Sequence, residues 1–211
     1  HAADMYINVL EQLGVTDVSN HGLHIETCKE WNDEVSRFYE SQGVMPHDKL
    51  IGFNIGSAVP EKRWPAERFA DVADYFADKG YKTVFFGGPM DLEMVKPVVE
   101  HMKTTPIVAT GAFKIGSLAA AMKWCDLVIT NDSGPMHVAI SQGVPIVALY
   151  GPSNPFFYGP YQAKSIVLES MDHYEIGKSM KKVIKEGKYK GISVITEEQV
   201  IKAAETLLQE S

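Results

Sequence analysis

The sequence has few cysteines, no long apolar run and no excess of basic residues. Its two cysteines, Cys28 and Cys125, lie far apart in apolar surroundings, which predicts two buried thiols and argues against a disulfide framework. No apolar run approaches the roughly 20 residues of a membrane-spanning helix, and no signal peptide is recognisable. The net charge of −7 and the pI near 5.5 argue against a general nucleic-acid binder, because such binding depends on a basic surface. These shortages favour a soluble globular protein of a reducing compartment.

The most extensive pattern in the sequence is a regular alternation of two kinds of segment. From Lys49 onward, short apolar segments alternate with amphipathic ones, a spacing that is typical of βαβ units. It predicts an α/β fold, with a parallel sheet that is covered by helices on both faces. The predicted strands are Leu50–Ile55, Thr83–Phe86, Ile107–Ala109, Leu127–Thr130 and Ile146–Tyr150. The predicted helices of this region are Pro65–Lys79, Met90–Lys103 (kinked or split at Pro97), Ile115–Trp124, Pro135–Gln142 and Glu197–Leu208.

The first 48 residues have a different pattern from the rest. A helix near the start is ended by Gly14, and a second helix, roughly Cys28–Gln42, is ended by Gly43. We expect residues 1–48 to form connecting helices and a lead-in, and residues 49–211 to form one nucleotide-binding domain with a C-terminal helix. Because the chain starts with His1, we also expect either a cut inside a longer protein or a tag or processing scar.

The segment Asp126–Ser141 joins an apolar strand to a helix through a polar turn. Asp132 and Ser133 are residue types that cap helix N-termini, and Pro135 suits the first helical position. Gly134 has no side chain that would keep a ligand from the unpaired N–H groups. Because those groups and the helix dipole favour an anion, the turn indicates a phosphate site, with a capped turn that binds nothing as the alternative.

A second glycine-bearing turn, within Phe53–Pro65, follows another apolar strand. Ser57 offers a hydroxyl, Gly56 lets a backbone come close, and Lys62 supplies a mobile charge that suits phosphate oxygens. Both turns follow the carboxyl ends of strands, where doubly wound sheets bind their ligands. Together they predict a site for a nucleotide diphosphate. The alternative for Lys62 and Arg63 is an ordinary solvated pair before a helix.

Two further features allow two interpretations each. Asp91 lies in the turn after the strand Thr83–Phe86, so its carboxylate could contact a ribose, or it could simply complement a helix dipole. Six lysines against one glutamate, Glu186, occur between Lys178 and Lys190. This stretch predicts contact with anionic headgroups or an acidic lipid-linked acceptor, or else a solvated helix face.

Four motifs together resemble one known family: FNIGSAVPEKRWPAERFADVADYF, VFFGGPMD, ITNDSGPMHVAISQGVPIVALYGPSNP and GPY. They are similar to glycosyltransferase family nine, the ADP-heptose:lipopolysaccharide heptosyltransferases, from about Lys49 to the end of the chain. Members are GT-B enzymes, in which an amino-terminal Rossmann-like domain holds the acceptor and a carboxy-terminal one holds the nucleotide sugar. The chain resembles only the second, so the resemblance implies a donor-binding domain without the acceptor domain.

The resemblance implies a diphosphate site of four residues. Ser57 and Lys62 align with residues that hold the donor diphosphate and part of the sugar, whereas Ser133 and Gly134 would donate backbone N–H groups to phosphate. Lys62 would stabilise the charge on the leaving diphosphate, so an inverting, metal-independent transfer without a cofactor is expected. No Asp-x-Asp pair follows a strand, which agrees with this. The general base is expected in the acceptor domain, so this chain alone should bind donor and transfer nothing.

The resemblance also implies contacts with the sugar, the ribose and the base. Asp132 aligns with an acid that accepts hydrogen bonds from sugar hydroxyls, and His137 faces the same pocket. Asp91 aligns with the acid that binds the ribose, and the backbone near Phe113 with the element that meets the adenine edge. A helix cap is the alternative for Asp132 and for His137. The chain lacks a cysteine after GPY and has Phe113-Lys114-Ile115 before a helix, and both departures leave the nucleotide sugar open.

The expected function is therefore heptose transfer from ADP-heptose to the lipopolysaccharide inner core. The expected partners are the nucleotide sugar and, through the acceptor domain, the core acceptor, with no nucleic acid. The expected location is the cytoplasm, with peripheral contact to the inner membrane as a further possibility. Three alternatives stay open: a family member that uses another nucleotide sugar, a nucleotide-binding module without transferase activity, and a GT-B-type sugar-nucleotide epimerase.

Overall fold

The computed structural model describes residues 1–15, 20–170, 184–185, 187 and 190–210 of the chain. Two helices precede the sheet, α1 (Ala2–Gln12) and α2 (Lys29–Ser41). The strands are β1 (Leu50–Asn54), β2 (Lys82–Phe86), β3 (Ile107–Val108), β4 (Leu127–Asn131), β5 (Ile146–Tyr150) and β6 (Ser165–Glu169). The other helices are α3 (Ala66–Asp78), α4 (Leu92–His101), α5 (Ile115–Met122), α6 (Gly134–Ile140), α7 (Pro155–Tyr158) and α8 (Glu197–Gln209). Short 3-10 turns occur at Pro60–Lys62, Pro89–Asp91 and Ile192–Val194.

The described strands form one sheet in the order β3-β2-β1-β4-β5-β6, and each pairing is parallel. The chain winds outward from β1 to β3, then returns to the other side of β1 and winds outward again through β4. The winding direction thus reverses between β1 and β4. Their carboxyl ends lie side by side, because Asn54 of β1 is in register with Thr130 of β4. In open α/β sheets, the crevice at such a reversal is where ligands bind.

Helices cover both faces of the sheet. Leu50 of β1 packs in a buried cluster with residues of α2, α5 and α6, whereas Ile51 and Phe53 of the same strand pack with α3, α4 and α8. Since successive side chains of a strand point to opposite faces, β1 has an apolar layer on each side. The continuous apolar character of β1 follows from this burial on both faces. The predicted fold class, an α/β parallel sheet with helices on both faces, is confirmed.

Three details differ from the sequence-based expectation. The sequence-based prediction omits β6, an edge strand whose apolar run of isoleucine, valine and leucine lies between Ser165 and Glu169. Of the two alternatives for Pro97, a kink or a split, the split is wrong, because α4 continues through Pro97, whose missing N–H removes only the bond to the Glu93 carbonyl. Cys125 is buried, but Cys28 is exposed at the N-cap of α2, so the prediction of two buried thiols is wrong for Cys28.

Two expectations concern membranes and domain limits. Within the described part of the chain, no helix has the length and apolar character needed to cross a membrane. Only residues 184, 185, 187 and 190 of the lysine-rich stretch are described, so the prediction about it falls almost entirely outside the described residues.

The division into a lead-in over 1–48 and a domain over 49–211 stays a prediction, although α2 packs directly on α5.

Candidate functional site

One buried asparagine ties the loop after β1 to the end of β4. Asn131 is the last residue of β4; its side-chain Nδ2 donates to the Ile55 carbonyl at 2.8 Å, and its Oδ1 accepts from the backbone N–H of Trp64 at 3.2 Å. The Trp64 indole donates in turn to the Ile195 carbonyl at 2.9 Å. Both ends of the loop are thus fixed to the sheet. The loop holds Ser57 and Lys62 beside the end of β4.

Lys62 and Asp132, 70 positions apart, form an ion pair at this edge. The Lys62 Nζ lies 2.5 Å from Asp132 Oδ2, and their side chains are only 18% and 7% exposed. The Ser153 hydroxyl donates to the same carboxylate oxygen. Because little water reaches the pair, its electrostatic attraction is stronger than that of a pair on the surface. A cation and a carboxylate therefore meet where the winding of the sheet reverses, and Lys62 is no solvated surface lysine.

Ser133, and not Asp132, is the N-cap of α6, so the alternative role of Asp132 as a cap is wrong. The Asn54 amide donates to the Ser133 hydroxyl at 2.7 Å. Among the described hydrogen bonds, none uses the backbone N–H of Ser133 or Gly134. A Cβ atom added to Gly134 would have no atom within 4 Å, so the space beside it is open. This turn thus offers two backbone donors next to open space, as the sequence predicts.

Asp91 makes a local contact at the same edge of the sheet. Its Oδ2 accepts from the backbone N–H of Gly88 at 2.8 Å, which is the helix-terminus role considered for it. A Cβ atom added to Gly56 would lie 2.6 Å from the Asp91 carboxyl, and one added to Gly87 would lie 2.8 Å from it. Gly56 therefore makes room for Asp91 beside the Ser57 loop. A ribose contact of Asp91 stays a prediction.

Phe113 contacts the α2 side of the molecule. Its ring packs edge-on against Phe38 of α2, with 4.9 Å between the ring centroids. It is partly buried against the cluster on the α2 face of the sheet. None of its described contacts is with Lys62, Asp132 or Ser133. The predicted adenine contact, which involves the backbone near Phe113, stays a prediction.

Two uncharged groups lie close to the Asp132 carboxylate. Burial lowers the pKa of His137 below its ordinary value of 6.5, although the charge of Asp132 opposes the shift. Burial, and then Asp132, raise the pKa of Tyr150 well above its ordinary range. The Tyr150 hydroxyl donates to the Tyr158 carbonyl at 2.7 Å. Both side chains are therefore neutral near pH 7.

The lowered pKa of His137 predicts how stability depends on pH. The unfolded chain binds a proton at His137 more readily than the folded chain, so the free energy of unfolding falls as the pH drops below about 6.5. His137→Gln removes the titrating imidazole and the pH dependence of stability that it causes. We expect the wild type to lose more thermal stability between pH 7.5 and 5.5 than the variant, measured by thermal unfolding in matched buffers. Equal losses in the two proteins would contradict this account of His137.

The structure adds residues that the sequence-based site lacks. Ser153 contacts Asp132, Asn54 contacts Ser133, and the Arg63 Nε donates to the Ser57 carbonyl at 2.8 Å. Signals for some of them are present in the sequence. Polar asparagines end the apolar strands LIGFN and LVITN, and Ser153 follows the carboxyl end of β5. Among the described residues, no group of three or more His, Cys, Asp or Glu is placed to hold a metal ion.

The family model of glycosyltransferase family 9 (heptosyltransferase) matches residues 1–190. The chain belongs to glycosyltransferase family 9. It is 33% identical over 164 residues to lipopolysaccharide heptosyltransferase 2 of Escherichia coli, a match that covers 75% of this chain and 47% of that protein. It is 29% identical to lipopolysaccharide heptosyltransferase 3 of the same organism, covering 100% of this chain and 60% of that protein. The chain spans about half the length of the curated relatives it matches.

Solved structures of family 9 proteins have the same architecture. A family 9 glycosyl transferase from Veillonella parvula superposes with a TM-score of 0.95 at 78% identity, covering 100% of this chain and 60% of that one. The E. coli ADP-heptose lipopolysaccharide heptosyltransferase II superposes with a TM-score of 0.72 at 28% identity, covering 89% of this chain and 54% of that one. The resemblance inferred from the sequence motifs is thus confirmed, together with the Rossmann-like fold of the GT-B heptosyltransferases.

Proposed function

We propose that this family 9 chain binds ADP-heptose, as the donor-binding half of an inverting, metal-independent heptosyltransferase that acts on the lipopolysaccharide inner core. The observation that carries the proposal is the close pair of Lys62 and Asp132 where the winding of the sheet reverses. A relative with 28% identity is named for ADP-heptose, which supports this choice of donor. The acceptor, the location in the cytoplasm and any contact with the inner membrane stay predictions.

Lys62 and the turn before α6 suit the diphosphate of the donor. Lys62 supplies a charged donor on a flexible stem, which can follow phosphate oxygens as they move. The backbone N–H groups of Ser133 and Gly134 add two fixed donors beside open space. As the bond between the sugar and the diphosphate breaks, negative charge grows on the leaving phosphate. Donors that are already in position stabilise that charge without reorganising, which lowers the barrier.

Asp132 suits the sugar better than the phosphate. A carboxylate beside a diphosphate is repelled unless it faces a hydrogen-bond donor, and a heptose offers several hydroxyls. Lys62 and Ser153 both donate to Oδ2 of Asp132, and the Tyr150 hydroxyl interacts with the same carboxylate. In the proposed complex, Oδ1 accepts from a sugar hydroxyl. Asp132 would then distinguish a nucleotide sugar from a bare nucleotide.

The described residues do not identify the base that takes the proton of the acceptor hydroxyl, a step that every inverting transfer requires. The family resemblance assigns it to the acceptor domain. Inactivity of this chain on its own depends on that assignment and stays a prediction. Binding of the donor is the part of the function that this chain can be tested for directly.

Calorimetry with ADP-heptose and with ADP tests the proposal. We expect ADP-heptose to bind about tenfold more tightly than ADP, because hydrogen bonds from a hydroxyl to a charged group contribute about 1.5–3 kcal/mol before the cost of ordering the sugar. Asp132→Ala should remove this preference and leave ADP affinity unchanged or slightly raised. The matched control is Asp71→Ala. Asp71 lies on α3, is half-exposed and pairs with His101 of α4.

The other outcomes separate the alternatives. Equal affinity for ADP and ADP-heptose, unaffected by Asp132→Ala, would favour a nucleotide-binding module without sugar recognition. Tighter binding of a different nucleotide sugar in the same assay would favour a family member with another donor. Loss of ADP binding in Asp132→Ala would show that the carboxylate supports the diphosphate site and not the sugar.

A further inference from the structure

Ser153 joins the Lys62–Asp132 pair from a third loop. It lies between β5 and α7, and its hydroxyl donates to Asp132 Oδ2, the same oxygen that Lys62 contacts. One carboxylate oxygen is thus held by two donors that come from different parts of the chain. One donor is charged and lies on a long stem, whereas the other is neutral and lies on a short one. A charged ligand should therefore affect the Lys62–Asp132 contact more than the Ser153–Asp132 contact.

A diphosphate competes with Asp132 for Lys62. The ligand has more negative charge than one carboxylate, and the long lysine side chain can turn toward it, whereas the short Asp132 side chain stays on its turn. The Asp132 side chain is only 7% exposed, so water can replace the lost partner only in part. A buried carboxylate that loses a hydrogen-bond donor is costly to keep in place. The neutral Ser153 hydroxyl is drawn to the diphosphate much less strongly.

One long-range and one local hydrogen bond restrict the loop that holds Ser153. On one side, Tyr150 at the end of β5 is buried, and its hydroxyl donates to the Tyr158 carbonyl at 2.7 Å. On the other side, Asn154 caps α7, where its side chain accepts from the Phe156 N–H at 2.9 Å. These bonds limit the movement of the loop, and the Ser153 hydroxyl already contacts Asp132 without a ligand. A donor that is fixed in advance loses little entropy when it is needed.

We propose that Ser153 is a positioning residue, whose hydroxyl keeps the Asp132 carboxylate oriented toward the sugar when the donor diphosphate draws Lys62 away. The inference depends on the proposed function, because it gives Asp132 its role toward the sugar. It goes beyond that function by assigning the specificity of the site to a residue that touches neither phosphate nor sugar. Ser153 acts through Asp132 alone.

Calorimetry measures the binding of ADP-heptose and of ADP to four proteins, the wild type and the three variants that follow. Thermal unfolding checks that each protein is folded. Ser153→Ala should weaken ADP-heptose binding about fivefold and change ADP binding by less than about twofold, because the sugar needs the Asp132 carboxylate in one orientation, whereas in the ADP complex the carboxylate can turn toward the space that the sugar would fill. Ser153→Thr keeps the hydroxyl and should restore the preference. Ser165→Ala is the matched control, since Ser165 is also partly buried but begins β6 at the opposite end of the sheet.

Each outcome supports or overturns the inference. Equal losses for ADP and ADP-heptose, without rescue by Ser153→Thr, would mean that Ser153 only supports the loop. An unchanged preference in Ser153→Ala would overturn the inference and leave the proposed function intact. A wild type without any preference for ADP-heptose would overturn the proposed function, and the inference with it.

Two further variants keep the test decisive if Ser153→Ala does not fold. Ser153→Cys has nearly the same shape but a weak donor, and it should lose about threefold in ADP-heptose affinity alone. In an Asp132→Ala background, Ser153→Cys should have no further effect on ADP-heptose binding, because the residue through which Ser153 acts is absent. An additional loss in that background would overturn the inference.

Discussion

Replacing Lys62 by methionine is expected to weaken ADP-heptose binding about 100-fold, which corresponds to about 2.8 kcal/mol. Hydrogen bonds from a charged group contribute about 1.5–3 kcal/mol each, and Lys62 is only 18% exposed, so water does little to screen them. Methionine keeps the length of the side chain and removes only the charge. Isothermal calorimetry at moderate ionic strength measures the change, and ADP affinity should fall in parallel because the diphosphate is common to both ligands.

Part of this loss is expected to come from Asp132. Without Lys62, the carboxylate remains at the site with only neutral groups beside it, and it repels the diphosphate. The effect of Asp132→Asn on ADP-heptose affinity should therefore have opposite signs in the wild type and in the Lys62→Met variant. The substitution should weaken ADP-heptose binding in the wild type and improve it about threefold in the Lys62→Met variant. A further loss in the variant would mean that repulsion by Asp132 plays no part.

Lys79→Met is the matched control for Lys62→Met. Lys79 is also a lysine paired with a carboxylate, at 2.9 Å from Glu205, but the pair is 47% and 36% exposed. It follows the carboxyl end of α3, at the edge of the sheet where β2 begins, and so lies away from the site. The control should bind ADP-heptose within about twofold of the wild type. A tenfold loss in it would show that net charge, and not the position of Lys62, governs binding.

The parts of the fold that were predictable are those with local signals. Apolar runs bounded by turn residues locate β1 to β5, and the fully buried strands among them, such as β1 and β5, need continuous apolar sequence. The sequence-based prediction omits β6, an edge strand that has Ser165 and Glu169 at its ends and only three apolar residues between them. The continuity of α4 through Pro97 was unpredictable for another reason. It depends on packing against α3, which no local pattern encodes.

The candidate site shows the same division. The two turns could be predicted, because capping residues and glycines after apolar strands are local features. The ion pair could not, because Lys62 and Asp132 are 70 positions apart and their separate roles toward phosphate and sugar do not imply contact. Gly56 illustrates the difference, since its lack of a side chain makes room for Asp91 and not only for a ligand. Long-range packing decides such details.

The largest loss of stability is expected for Phe53→Ala. Phe53 is fully buried in β1; its ring stacks on Phe85 at 5.1 Å between centroids and meets Phe69 edge-on at 6.5 Å. Truncation of a buried phenylalanine to alanine removes apolar contacts and leaves a cavity, at a cost of about 3–5 kcal/mol. For a chain of this length, that corresponds to a decrease in melting temperature of about 10 °C. Urea unfolding and thermal unfolding should agree on the direction and size of the change.

The same variant separates the stability of the core from the formation of the site. Phe69 contacts both Phe53 and Trp64, with 5.0 Å between the Phe69 and Trp64 ring centroids, so one aromatic ring connects the cavity to the end of the loop that holds Lys62. The hydrogen bonds from Asn131 to both ends of that loop remain, so the folded fraction of the variant should bind ADP-heptose with less than about a tenfold loss. The control is Phe156→Ala, since Phe156 is 64% exposed and should change stability by less than about 0.5 kcal/mol. A larger loss of affinity in Phe53→Ala at 10 °C, where the variant is still folded, would mean that the aromatic core itself shapes the loop. The hydrogen bonds of Asn131 would then be insufficient to hold the loop in the conformation that binds the donor.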